Sequence, residues 1–270
     1  MTYKPSPYKI IEKSQINSEV TLLTVNCPLF PQPGQFLQVS LPGIGECPLA
    51  SCSYDKQVLT LLIKNAGSVT SALSNLNSGD LVYIRGPYGR GFPLNKLKNK
   101  NLIFIAGGTG IAPVTSLIEY AEKNKENFKE ITIYFGFRNE SFVLLKDKIK
   151  NWEKKFKVII CLDEKSANKK YRHGFVHQIL AKEKIQTQNS AALLCGPQVM
   201  MKAVTEELNK QGLENSKAYW SMERRMECGI GSCGRCLIQD VYVCKDGPVF
   251  RYDFIKPRLD AEESANKEEK

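Results

Sequence analysis

No stretch of the 270-residue sequence approaches the run of roughly 18 apolar residues that a membrane-crossing helix needs. Its opening, MTYKPSPYKI, lacks the apolar core of a secretory signal. These two absences predict a cytoplasmic protein with no membrane span. A compact Arg-rich stripe with interleaved aromatics is also missing. The formal net charge of +10 comes mainly from lysines scattered through NKLKNK, EKNKENFK, LLKDKIKNWEKKFK and SANKKYR, with acids mixed in. That distribution describes a solvated surface and argues against nucleic-acid binding. No internal repeat is present, and a composition of 42% hydrophobic residues with 19 Gly and 13 Pro excludes a largely disordered or collagen-like chain.

Cysteine is not scarce: the chain has nine. An odd number in a reducing compartment reads as ligands or buried apolar residues rather than a disulfide framework. Cys27, Cys52 and Cys161 lie in or beside apolar runs and are expected in the core. Four others crowd together as Cys228, Cys233, Cys236 and Cys244, in the pattern C-x4-C-x2-C-x7-C. Plant-type 2Fe-2S ligation opens with the same spacing and adds a later fourth cysteine. Gly229, Gly231 and Gly234 let such a loop fold tightly and turn backbone N–H groups toward sulfur. Structural zinc is the alternative, since Cys233 and Cys236 have zinc-like spacing, although the whole pattern suits zinc less well. Unliganded or redox-regulatory thiols are a third reading.

Residues 1–98 read as short strands cut by turns: EVTLLTVN, QFLQVSL, VLTLLIK and DLVYIRG, with GSVTSALSNL as a short helix among them. A small barrel or sandwich fits. From residue 99 the grammar changes. NLIFIAGGTG, EITIYFGFRN, KVIICLD and AALLCGP are buried strands alternating with helical segments, of which IAPVTSLIEYAEKN and VMMKAVTEELNKQGL are the clearest. This predicts a parallel sheet over residues 99–222, covered on both faces. Residues 223–255 are Cys- and Gly-rich and read as neither strand nor helix. Residues 256–270 form a polar tail, frayed or a surface helix.

FIAGGTGIAP sets Gly107, Gly108 and Gly110 at the end of a buried strand and the start of a helix, where an open α/β sheet binds phosphates. The full G-x-G-x-x-G fingerprint is absent. Cys195, Gly196 and Pro197 end a later strand near the same crevice, where a small thiol could pack on a flat ring. His173 and His177 in RHGFVHQIL read as the start of a surface helix.

The order of barrel, GGTGIAP, CGP and the cysteine motif resembles the ferredoxin-reductase-like flavoproteins that carry their own 2Fe-2S cluster. The match runs over roughly residues 8–255 and is strongest in GQFLQVSLPGIGECP, LLIKNAGSVTSAL, RGPYGRGFP, AGGTGIAPV and ERRMECGIGSCGRC. Members include the electron-transfer subunit of dihydroorotate dehydrogenase, the gamma subunit of soluble hydrogenases and the B subunit of anaerobic sulfite reductase. Among them the sequence most resembles the sulfite reductase member, with the hydrogenase gamma subunit next.

The resemblance implies an antiparallel β-barrel FAD domain, an α/β nicotinamide-nucleotide domain with a parallel sheet, and a C-terminal cysteine-rich cluster loop. It aligns Cys47, Pro48, Leu49 and Ala50 with the family's Arg-x-aromatic-Ser/Thr flavin motif, so the guanidinium and the stacking ring are both missing. Lys64, Gly67, Ser68, Val69 and Thr70 match the loop that approaches the FAD pyrophosphate. Gly108, Thr109 and Gly110 would face the nucleotide pyrophosphate. Cys195, Gly196 and Pro197 would stand near the nicotinamide-flavin contact, and Arg138 at the ribose or a 2'-phosphate. NADH is the implied nucleotide, with NADPH the alternative. The implied function is to oxidise NADH through FAD and the 2Fe-2S cluster and pass electrons to a catalytic partner, a siroheme sulfite reductase, in a hetero-oligomer with room for a further iron-sulfur subunit. Two alternatives stand beside it: a hydrogenase gamma-type subunit linking a nickel-iron partner to NAD(P), and a non-enzymatic zinc-binding interaction module.

Overall fold

A computed structural model describes residues 3–268. The first half carries six strands: β1 (Ser6–Gln15), β2 (Val20–Asn26), β3 (Phe36–Leu41), β4 (Gly45–Ala50), β5 (Val58–Lys64) and β6 (Leu81–Tyr88). Alternation of apolar and polar residues turns one face of each strand inward, and Ile10, Leu23, Val25, Leu37, Val39, Leu61, Ile63, Val82 and Ile84 form one core. Helix α1 (Ser68–Asn75) adds Leu73 to that core. All pairings are antiparallel, in the order β4-β3-β6-β1-β2-β5. The edges meet only where Ser51 bridges Leu61, with the Cys52 N–H donating to the Thr60 carbonyl at 2.8 Å. An antiparallel sheet is therefore established; no continuous ladder closes it into the expected barrel.

After the short α2 (Leu94–Leu97), the second half alternates as expected through β7 (Asn101–Gly107), α3 (Ile111–Lys123), β8 (Ile131–Phe137), α4 (Lys146–Glu153), β9 (Lys157–Leu162), β10 (Arg172–His173), α5 (Val176–Leu180), β11 (Ser190–Cys195), α6 (Gln198–Lys210) and β12 (Ala218–Ser221). The strands pair in parallel in the order β10-β9-β8-β7-β11-β12. Every residue of β11 is buried, because α3 and α4 cover one face of the sheet while α5 and α6 cover the other. The chain winds outward from β7 to β10 and returns to β11 on the other side of β7. The carboxyl ends of β7 and β11 thus frame the crevice where open α/β sheets bind ligands.

Residues 223–255 are more ordered than their composition suggests. They contain a hairpin, β13 (Leu237–Ile238) with β14 (Val241–Tyr242), then α7 (Val243–Asp246) and β15 (Val249–Arg251). β15 pairs antiparallel with β12, through Trp220 opposite Phe250, which stitches the cysteine segment onto the edge of the parallel sheet. Helix α8 (Tyr252–Glu268) follows directly and runs through the expected start of the tail at residue 256. Tyr252, Ile255 and Leu259 are buried on one stripe of it, and Tyr252 stacks on Trp220 at 4.4 Å. Of the described residues, no helix is long and apolar enough to cross a membrane.

Gly110 shows how tightly the crevice is drawn. A Cβ there would lie 2.7 Å from the Cys195 carbonyl carbon and oxygen. Glycine is needed for the first turn of α3 to meet the end of β11. Gly110→Ala should lower unfolding stability by about 1–3 kcal/mol, read as a fall in the urea midpoint at unchanged slope.

Candidate functional site

The four clustered cysteines are built by one loop and one short helix. Gly229 has φ +80°, and a Cβ on it would stand 3.0 Å from the buried Tyr88 ring, so the loop lies flat against the antiparallel sheet there. Backbone donors converge on sulfur: Ser232 N–H donates to Cys228 Sγ at 3.3 Å, Gly231 N–H to Cys244 Sγ at 3.1 Å and Cys244 N–H to Cys236 Sγ at 3.4 Å. Burial works against a Cys228 thiolate, yet the N–H groups of Ile230, Ser232 and Cys233 outweigh it and bring that thiol down to about 6. Cys244 is pushed up to about 12 by burial and by its neighbour Cys236.

The turn at residues 230–232 thus donates to the sulfurs of both Cys228 and Cys244, and Cys244 N–H reaches Cys236 in turn. Among the described residues, no three His, Cys, Asp or Glu side chains gather around one point as a single ion would need. Cys233 is exposed, Cys228 half-buried, and Cys236 and Cys244 buried.

The loop is seated by side chains from distant strands. Gln38, on β3, donates from Nε2 to the Met226 and Glu227 carbonyls at 2.8 and 3.0 Å. Arg85, on β6, donates to the Cys228 carbonyl at 2.9 Å and the Glu227 carbonyl at 2.8 Å.

At the crevice of the parallel sheet lies a cavity of about 520 Å³ lined by Gly108, Thr109, Arg138 and Pro197, as the sequence suggests, and by Lys64 from the end of β5. Gly110 and Gly196 stand behind this lining, where the ends of β7 and β11 touch. Cys195 is buried, its thiol pushed up first by burial and then by Glu223, with Ser221 opposing the shift. The Glu223 carboxyl is raised by burial, partly offset by Lys64.

Asp163, at the end of β9, lines the same cavity as Arg138. Its carboxyl is raised by burial and Glu164 and lowered by Arg138. His177 also lines it, its ring stacked on Phe175 at 5.9 Å with the planes 8° apart. The sequence reading set His177 aside and missed Asp163, Glu223, Gln38 and Arg85. For Asp163 a signal existed: an acid directly after the apolar strand KVIICL.

In the flavin elements, Cys47, Pro48, Leu49 and Ala50 are half-buried in β4, at an edge of the antiparallel sheet. Gly67, Ser68, Val69 and Thr70 start α1 beside it: Val69 lies against Gly45, the first residue of β4. Thr70 Oγ1 accepts from the N–H groups of Ala66 and Gly67, both at 3.0 Å, so this hydroxyl caps the helix.

Comparison with known proteins agrees with this layout. A family model described as an oxidoreductase NAD-binding domain matches residues 104–206, and one described as the iron-sulfur cluster binding domain of dihydroorotate dehydrogenase B matches residues 223–256. Sulfhydrogenase 2 subunit gamma of Pyrococcus furiosus is 37% identical, covering 82% of this chain and 83% of that one. A probable dihydroorotate dehydrogenase B (NAD(+)) electron transfer subunit of Methanocaldococcus jannaschii is 34% identical over 94% of this chain and 92% of its own. Among solved structures, a chain of an NADH-dependent reduced ferredoxin-NADP oxidoreductase superposes with TM-score 0.76 at 24% identity, over 93% of this chain and 92% of that one, a likeness of fold.

The expected leaning toward anaerobic sulfite reductase is corrected by these relatives, which are sulfhydrogenase gamma and dihydroorotate dehydrogenase electron-transfer chains. The physical reason is that the motifs which carry the resemblance grip the electron carriers and say nothing about the protein that takes the electrons.

The thiols themselves give a test. In metal-free chain at pH 7, iodoacetamide should modify Cys228 and Cys233 first, while the buried Cys27, Cys52, Cys161 and Cys195 stay unlabelled in the intact fold. Mass spectrometry reads this directly, and equal labelling of Cys195 would contradict the geometry.

Proposed function

Because the chain belongs to the ferredoxin-reductase-like flavoprotein electron-transfer subunits, alongside the sulfhydrogenase gamma and dihydroorotate dehydrogenase electron-transfer chains, we propose that it passes electrons between a nicotinamide nucleotide and a partner hydrogenase. It is an oxidoreductase-type subunit with an NAD-binding domain and an iron-sulfur binding domain. The observation that carries the reading is one chain in which a four-cysteine loop is seated on the antiparallel sheet and a cavity lined by Gly107, Gly108 and Thr109 lies at the crevice of the parallel one.

Bound FAD supplies a centre that accepts two electrons as hydride and releases them one at a time. The residues fit it: half-buried Pro48, Leu49 and Ala50 stand beside the exposed Gly67 and Ser68 at the start of α1, while Lys64 reaches the adjoining cavity. With no guanidinium or ring at Cys47–Ala50, the hold on phosphate falls to backbone donors of the 67–70 turn and to Lys64. Gly108, Thr109 and Gly110 offer the nucleotide pyrophosphate close backbone approach at the start of α3. Cys195, neutral at working pH, and Glu223 border the nicotinamide end; Gly196 and Pro197 shape its wall. Cys228, Cys233, Cys236 and Cys244 would hold a 2Fe-2S cluster, which would take electrons singly.

Asp163 favours NADH. An acid beside the adenosine ribose accepts hydrogen bonds from a 2'-hydroxyl and repels a 2'-phosphate, whereas Arg138 across from it is already engaged over the Phe142 ring at 4.9 Å. Asp163→Ser should shift the ratio of kcat/KM for NADPH over NADH upward by about tenfold or more, measured with an artificial electron acceptor. An unchanged ratio would remove Asp163 from this role.

A second reading, electron transfer to a dihydroorotate dehydrogenase catalytic subunit, is favoured by the match at residues 223–256. Co-purification with the neighbouring catalytic subunit separates the two. Anaerobically prepared protein should be coloured and hold about two irons and two sulfides per chain. Colourless protein holding stoichiometric zinc would overturn both readings and leave the interaction module.

A further inference from the structure

Arg85 is the one charged residue that is buried among the described residues, at 5% exposure. We infer that it is a positioning residue for the cysteine loop, and that the Arg85–Glu46 pair sets the reduction potential of the centre held there. This rests on the iron-sulfur reading above.

The guanidinium spends its fork on three elements at once. Nε and Nη2 face the Glu46 carboxylate, Nη1 donates to the Tyr88 hydroxyl at 3.0 Å and the Cys228 carbonyl at 2.9 Å, and Nη2 donates to the Glu227 carbonyl at 2.8 Å. Its central carbon lies 4.7 Å from the centre of the Tyr3 ring and 5.2 Å from that of Tyr88. Burial opposes the charge, but Glu46 and Tyr88 more than offset it, so the group stays protonated.

A strut alone would not need a charge. Gln38 already ties the same loop to the sheet with a neutral amide, through the carbonyls of Met226 and Glu227. What Arg85 adds is a fixed positive charge shielded from water, one carbonyl away from a cysteine ligand. Adding an electron to a two-iron cluster held by four thiolates increases its negative charge, so a buried cation nearby favours the reduced state. Glu46 opposes this in part, and with its side chain 30% exposed it is also partly screened. Other cations beside the loop are exposed, so solvent mutes them: Arg225 and Arg235, 78% and 59% exposed and paired with Glu227, and Lys245, packed along Gly231.

The two partners must therefore act with opposite sign. The test is a dithionite titration of anaerobically prepared full-length protein, with the reduced cluster read by low-temperature electron paramagnetic resonance and normalised to iron content. At the potential that half-reduces the wild type, Arg85→Gln should lower the reduced-to-oxidised ratio about tenfold, equal to a midpoint lower by about 59 mV. Glu46→Gln should raise that ratio about threefold or more, and Arg85→Lys, which keeps the charge but loses the fork, should stay within about threefold of wild type. If Arg85→Gln holds no cluster, the Glu46→Gln and Arg85→Lys shifts decide. Unmoved potentials, or shifts of the same sign in Arg85→Gln and Glu46→Gln, would overturn the inference while leaving the electron-transfer reading intact. A wild type with no reducible iron signal would sink that reading and this inference with it.

Discussion

Seating a cysteine loop against a sheet of another domain is the constraint on which this architecture turns. Backbone carbonyls of Met226, Glu227 and Cys228 face inward and need donors, and Gln38 and Arg85 supply them from strands nearly two hundred residues and about one hundred and forty residues away in sequence. The other end of the segment is fixed by β15, which joins the parallel sheet as its antiparallel edge. A loop held at both ends cannot drift relative to either sheet. Electron transfer falls steeply with distance, so a rigid seat between the flavin-type sheet and the thiolates does work that no single ligand can do.

The nucleotide end follows a different logic. There the parallel sheet supplies a crevice by topology, at the point where the chain reverses around β7, and glycine at position 110 lets α3 close against β11. Side chains then specialise it: Asp163, Arg138 and His177 line it, with Lys64 reaching in from the end of β5. The cavity is thus lined from both sheets.

Much of this was legible in the sequence because it is local. Cysteines crowded at a regular spacing stand out along a chain, which made Cys228, Cys233, Cys236 and Cys244 conspicuous. The turns at Gly108 and Gly196 follow apolar runs that can only be buried strands. Arg85, Gln38 and Glu223 left no such mark, since each acts on residues far away along the chain and looks like any other polar residue in its own strand or loop. A surface helix was one reading of the tail, but its start at Tyr252 and its buried stripe of Tyr252, Ile255 and Leu259 were obscured by charged neighbours on the other faces. The Thr70 hydroxyl, expected to face phosphate, is used instead by the backbone that it caps. The mistaken choice of sulfite reductase has a physical root too: carrier-binding residues are under the same demands whichever enzyme receives the electrons.

The central claim is a relay from nucleotide through flavin to paired thiolate-bound irons within one chain. Rapid anaerobic mixing with NADH, followed by flavin absorbance and freeze-quenched paramagnetic resonance on the same sample, addresses it most directly. The account predicts that flavin absorbance falls first and that the iron signal grows afterwards without any added partner. A flavin that bleaches while a chemically reducible iron centre stays oxidised would contradict it.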